Sequence, residues 1–211
     1  VILGFTLVNS QQNYLNLVTK INEEAYLTEQ LFQAAHGFSP SFKIKLQKNI
    51  MIYLESVFKE EWPLMAKKQE NPITLKKLEN MLSLYYNYKP QNDVEKIWFA
   101  KSIDVLLKHS SARLERIYSS WQKLGSLIWT NLILGTIILI LFFLFIGAEN
   151  PKILIFWISL FAGFFIFTLF VINAFDHPFS APIKIKPKAY KIIYNYDTKT
   201  RNTMTSPEAI P

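Results

Sequence analysis

Two uncharged apolar runs, separated by six residues, decide what this chain can be. Residues 127–146 read LIWTNLILGTIILILFFLFI, and residues 153–175 read ILIFWISLFAGFFIFTLFVINAF. A helix of about 20 residues, rising roughly 1.5 Å per residue, matches a hydrocarbon core ~30 Å thick. No Asp, Glu, Lys or Arg interrupts either run. Only GAENPK joins them, so the spans must be antiparallel neighbours. The expected fold class is an all-α integral membrane protein with a transmembrane helical hairpin over 127–175.

The rest of the chain divides around that hairpin. Residues 9–126 are numerous enough to bury a core and read as a cytoplasmic helical domain. Residues 1–8, VILGFTLV, are expected to be the end of a truncated transmembrane helix, because helical spacing continues from Gln11. A short buried strand is the alternative. Residues 176–211 read as a cytoplasmic tail carrying Pro178, Pro182 and Pro187, disordered from about 197. The chain has no cysteine, which excludes disulfides and thiolate metal sites.

The net charge of +7 follows the membrane plan. Arg113, Arg116 and Lys123 precede the first run, and Lys184, Lys186, Lys188 and Lys191 follow the second. The connecting hairpin holds only Glu149 and Lys152. The positive-inside rule then puts both flanks in the cytoplasm and the turn outside, as in a multi-pass protein of the cell membrane. Juxtamembrane bases attract anionic head groups, so membrane lipids are expected partners. Nucleic acid is not expected, because no binding motif accompanies the charge.

Helical spacing organises residues 11–124. Tyr14, Val18, Ile21, Ala25 and Phe32 form one stripe, ended by Gly37 and Pro40. Ser39 and Pro40 start the next helix, whose stripe is Phe42, Leu46, Ile50, Tyr53 and Val57. That helix is expected to end at Trp62-Pro63. Asn71-Pro72 starts a third, with Leu75, Leu78, Leu82 and Tyr85 along one side. A fourth begins near Asp93 and carries Ile103, Leu107, Ser110, Leu114, Ile117, Trp121 and Leu124 in 4-3 alternation. This coiled-coil-like seam packs either within the subunit or against a second copy. Gly125-Ser126 reads as a kink at most, so this helix is expected to continue into the first span.

Catalytic signatures are missing, and no enzyme activity, metal or cofactor is expected. His36, His109 and His177 lack metal-ligand spacing, and there is no Gly-rich phosphate loop or G-x-S-x-G elbow. The adjacent pairs Glu23-Glu24 and Glu60-Glu61 point about 100° apart on a helix and read as solvated. Within the spans, Asn131 with Gly135 and Ser159 with Gly163 place small or polar residues one turn apart. Such pairs either let helices approach closely or line a pore.

The stretch FDHPFSAPIKIKP, residues 175–187, resembles the ending of the bacterial bestrophin-like domain family, a group with no assigned function. The family pattern there is approximately L-D-x-P-F-x-G, then a β-branched residue and proline. Asp176, Pro178, Phe179, Ile185 and Pro187 match it, and Ala181 stands where the family commonly has glycine. VILGFTLVNSQQ resembles the family's second membrane helix, which runs into a cytoplasmic helix with an acidic-Ala step, here Glu24-Ala25. Residues 113–129 resemble its basic approach to the third helix. The resemblance implies four membrane helices with both ends inside.

The family is distantly similar to bestrophin anion channels, which are pentamers with an apolar neck. Ile2-Leu3-Gly4-Phe5 is similar to that neck, which implies that Val1 and Phe5 face a pore and gate it by dewetting. From the residues alone, they face lipid or neighbouring helices equally well. The implied function is an oligomeric ion channel, with anions as the implied cargo. The alternative is a non-conducting, membrane-anchored interaction module that docks a partner through the basic-aromatic segment Tyr85–Lys89.

Overall fold

The computed structural model describes residues 1–146, 150–180 and 182–205, and all its regular elements are helical. The chain forms two compact units. One combines Val1–Asn16 with Gln122–Ile185; the other combines Leu17–Trp121 with the segment from Lys186 onward.

The first unit holds the start of α1 (Ile2–Ala34), together with α6 (Ser126–Ile146) and α7 (Pro151–Asp176). Among the described residues, two helices are long and apolar enough to cross a membrane, and their apolar stretches are α6 and α7. These match the two runs read from sequence. Leu132 and Thr136 on α6, and Thr168 and Ile172 on α7, are buried. Phe143 and Phe161 stack at 4.6 Å between centroids. Thr136 and Thr168 each donate to the carbonyl one turn back, at 2.8 Å, so neither offers an unpaired hydroxyl to an apolar surrounding. Most other large side chains of both helices are exposed, as on helices solvated by lipid. Asn150 caps α7 by accepting from Lys152 N at 3.0 Å, with Pro151 at the first helical position. The hairpin tip, including Glu149, lies outside the described residues.

The second unit is a helical bundle. It comprises the rest of α1, a 3-10 turn (Ala35–Gly37), α2 (Pro40–Ser56), a π turn (Val57–Glu61), α3 (Trp62–Met65), α4 (Pro72–Tyr86), α5 (Asp93–Trp121) and α8 (Lys188–Thr205). The α2 stripe is buried as read: Phe42, Leu46, Ile50, Tyr53 and Val57. Asn71 caps α4, its Oδ1 accepting from Ile73 N at 2.8 Å and Thr74 N at 3.4 Å. The face of α4 that is fully buried runs through Thr74, Leu78, Met81 and Tyr85, so Leu75 and Leu82 lie at its edge.

Four expectations change. Trp62-Pro63 does not stop the helix, because the π turn precedes it: Trp62 N donates to Val57 O, five residues back. Widening the turn there accommodates a proline that has no N–H to give. The helix through α5 does not run into the first span; residues 122–125 are not helical. The tail is helical past position 197, as α8, because Tyr190 and Ile193 bury one of its sides.

The fourth change concerns the α5 seam. Leu107 and Leu114 are 54% and 44% exposed, while the buried face runs through Ser102, Leu106, His109, Arg113, Arg116, Ile117 and Ser120. The helix turns its more polar side inward because carboxylates wait there.

Candidate functional site

Arg113 and Arg116 are three residues apart on α5, so they project from one side of it. Glu24 from α1 and Glu61 from the end of the π turn face them, and none of the four side chains is more than 1% exposed. Arg116 donates through Nε to Glu24 Oε2 at 2.5 Å, and through Nη2 to Glu24 Oε1 at 3.2 Å and Glu61 Oε1 at 2.5 Å. Its Nη1 points at Met65 Sδ, 2.9 Å away. Arg113 donates through Nη2 to Glu61 Oε2 at 2.6 Å and through Nη1 to Glu70 Oε1 at 3.0 Å. The result is an alternating row, Glu24–Arg116–Glu61–Arg113–Glu70, that reaches the surface only at Glu70.

Aromatic groups enclose this row. Tyr53 donates to Glu24 Oε1 at 2.8 Å. The Arg116 guanidinium carbon lies 5.7 Å from the Trp62 ring centre and 5.9 Å from that of Tyr190 on α8. His109 meets Tyr53 edge-on at 5.1 Å and is fully buried, with no hydrogen bond to either ring nitrogen.

The charges follow from these contacts. Burial alone raises the Glu24 carboxyl, but Arg116, His109 and the Tyr53 hydroxyl together bring it below its ordinary value. Burial pushes His109 down to about 4; Glu24 opposes this, and Arg116 and Arg113 reinforce it. His109 is therefore neutral near pH 7. Burial also raises the Tyr190 hydroxyl well above its usual range, and the negative charge of Glu24 adds to this. With each buried carboxylate held by arginine, neither is placed to act as a general base. The arrangement is a clamp tying α1, the π turn, α5 and α8 together.

The pairs Glu23-Glu24 and Glu60-Glu61, read as solvated, therefore split. Glu23 is exposed and Glu60 pairs with Lys77 at 3.2 Å, whereas Glu24 and Glu61 are buried. Arg113 and Arg116, read as membrane-flanking cations, are internal. The signal was present: Glu24 sits inside the Ile21–Ala25–Thr28 stripe, and Glu61 lies one turn from both Val57 and Met65. The segment Tyr85–Lys89 is also mostly core. Tyr85 is buried and Tyr88 stacks on Phe42 at 3.9 Å, leaving Tyr86 and Lys89 exposed.

In the other unit, the residues after α7 form a compact turn. The Asp176 carboxylate accepts from Leu124 N at 2.7 Å and from Trp129 Nε1 at 3.4 Å. It thereby caps the break before α6. Pro178 O accepts from Ile185 N at 2.8 Å, and Pro178, Phe179 and Ile185 are buried. Tyr14 of α1 donates to Ile183 O at 3.2 Å and packs edge-on against Phe175 at 5.4 Å. Within the second unit, Pro187 O accepts from Lys191 N at 3.2 Å at the start of α8. Ala181 lies outside the described residues.

The remaining sequence candidates are not drawn together. Val1 and Phe5 are exposed, one turn apart, on the side of α1 away from the buried Thr6 and Ser10. Asn131, Ser159 and Gly163 are exposed, and a Cβ built at Gly135 or Gly163 would meet nothing within 4 Å. These four residues therefore do not bring α6 and α7 together within the chain.

A family model described as Bestrophin-like domain matches residues 1–190. No curated protein and no solved structure matches the chain.

Proposed function

We propose, since the chain belongs to the bestrophin-like domain family, that it is a multi-pass subunit of an oligomeric ion channel with anions as cargo. The observation that carries this reading is an exposed pair of leucines on α5. Leu107 and Leu114 stand exposed in a helix whose opposite side is locked to its own subunit. Two leucines seven residues apart, left open on a membrane-anchored chain, favour packing against another copy. Val1 and Phe5 then form an apolar constriction, and Asn131 and Ser159 face neighbouring helices or the conduction path. The bundle and the segment after α7 lie in the cytoplasm, following the lysines on that side. Because Arg113 and Arg116 are neutralised internally, any enrichment of anions falls to exposed lysines. The ionic row is structural, and the reading assigns no catalytic step.

Planar-bilayer recording of the full-length protein, with its oligomeric state measured in the same preparation, tests this. Unitary currents carried by chloride are expected. A verified oligomer that passes no current in any salt overturns it. That outcome would favour the non-conducting module. Support for the module comes from a groove of about 520 Å³ between α1 and α5, lined by Tyr26, Glu29, Gln30, Gln33 and Trp98 among others. Crosslinking then recovers a specific heterologous partner.

A further inference from the structure

The sequence from His177 to Tyr196 contains four lysines and no acidic residue. Its second half forms the start of α8, and that helix has two different sides. Tyr190 and Ile193 are buried against the bundle, and Tyr194 packs edge-on against Phe58 at 5.3 Å. Lys188, Ile192 and Tyr196 follow one another at intervals of one turn on the other side. Lys186 and Lys188 are exposed, as are Ile192 at 68% and Tyr196 at 58%, whereas the Lys191 ammonium lies over the Phe58 ring, 5.9 Å from its centre. An isoleucine held out toward water costs free energy unless something covers it.

We propose that this outer side of α8 lies on an anionic lipid surface, with Lys186 and Lys188 on the phosphates. Ile192 then enters the acyl boundary and Tyr196 sits at head-group level. Three observations select lipid as the occupant. The side combines cations with an aliphatic and an aromatic residue, the composition of an interfacial helix. No acidic residue lies between α7 and Asp197 to repel anionic head groups. The chain reaches Lys188 twelve residues after Asp176 ends α7, a tether of at most ~40 Å. The inference rests on α7 being a membrane span, and the test separates the two.

The chain contains no cysteine, so Ile192→Cys gives a single attachment point for an environment-sensitive fluorophore on the full-length protein. Vesicles of phosphatidylcholine alone, or mixed equally with phosphatidylglycerol, are compared. Blue-shifted emission and quenching by spin-labelled lipid are expected only with phosphatidylglycerol, and high salt reverses both. Each Lys→Gln change at 186 or 188 is expected to lower the surface-bound fraction relative to free by roughly fivefold. A probe that reports water in both vesicle types overturns the proposal. So does an apolar signal that persists in detergent micelles, which means a second copy covers the face. Carbonate extraction of the same vesicles reads the span itself: protein stripped by carbonate removes the membrane reading, whereas retained protein with a wet probe removes only this inference.

Discussion

Glu61 divides its carboxylate between two arginines, Oε2 accepting from Arg113 at 2.6 Å and Oε1 from Arg116 at 2.5 Å. No other carboxylate in the row serves two guanidiniums. Glu61→Gln therefore leaves two buried cations facing the single buried carboxylate of Glu24, with Glu70 at the rim. Breaking a buried ion pair from one side costs about 3–5 kcal/mol. The expected result is a bundle that unfolds well below the parent in a thermal scan of the detergent-solubilised protein. A midpoint equal to the parent's would show that the row carries no net stability.

His109 makes stability depend on pH. The fold lowers it to about 4 from an ordinary value of 6.5. Between these values the unfolded chain binds a proton that the folded chain does not, so stability rises with pH across that window. The contribution is lost as pH falls from 6.5 toward 4 and amounts to about 3 kcal/mol in full. The Glu24 carboxyl, held below its ordinary 4.5, adds a separate loss only at lower pH. His109→Leu should flatten the slope between pH 6.5 and 4.5 without lowering the midpoint at pH 7. It removes two unpaired buried nitrogens and substitutes an apolar side chain. Parallel pH profiles for parent and variant would exclude His109 as the source.

Gly37 is fixed by space. A Cβ at this position would lie 2.1 Å from Trp98 Cγ. Gly37→Ala has to push the indole out of its place beside the 3-10 turn, at a cost of about 1–3 kcal/mol. The expected readout is a red-shifted tryptophan emission with a lower melting point. Emission and midpoint both unchanged would mean that the indole yields freely.

Asp176 gives the family's tail motif a physical role, by capping Leu124 N and holding the Trp129 indole. Asp176→Ala removes charge-assisted hydrogen bonds worth about 1.5–3 kcal/mol. Protease cleavage within 122–125 should become faster in the variant. Equal cleavage rates would show that the break before α6 holds without the carboxylate.

Uninterrupted apolar runs located the two membrane-length helices, and apolar periodicity located the α2 stripe, because burial of Phe42, Leu46 and Ile50 is an area effect that a local pattern displays. It failed on α5, where the decisive energies are pairwise. Arg113 faces inward because Glu61 is there, and Glu61 is 52 positions away in sequence. No local pattern carries that distance. The π turn was hidden for a related reason. Pro63 signals a stop, and only the register of Val57 and Glu61 against the bundle reveals an accommodated proline. Asp176, read as a motif letter, acquired its meaning from Leu124, a residue in another stretch of chain.

The α5 seam gives the sharpest test of assembly. Leu107 and Leu114 are exposed, while Arg113 and Arg116 anchor the helix from the other side. Leu107→Glu with Leu114→Glu therefore alters the outer surface and leaves the core contacts alone. If a second copy covers the seam, two carboxylates are forced into an apolar contact. Each costs several kcal/mol unless neutralised, and association collapses. The variant should run as a smaller particle in size-exclusion chromatography with light scattering, with the thermal midpoint of its bundle retained at dilution. If the seam faces solvent instead, the substitutions lie at exposed positions, where changes usually stay within ~0.5 kcal/mol, and particle size is unchanged. A single pair of measurements, mass and midpoint, thus separates an interface from a merely uncovered stripe. The Arg113–Glu61 contact keeps the second measurement interpretable by holding α5 in place in either case.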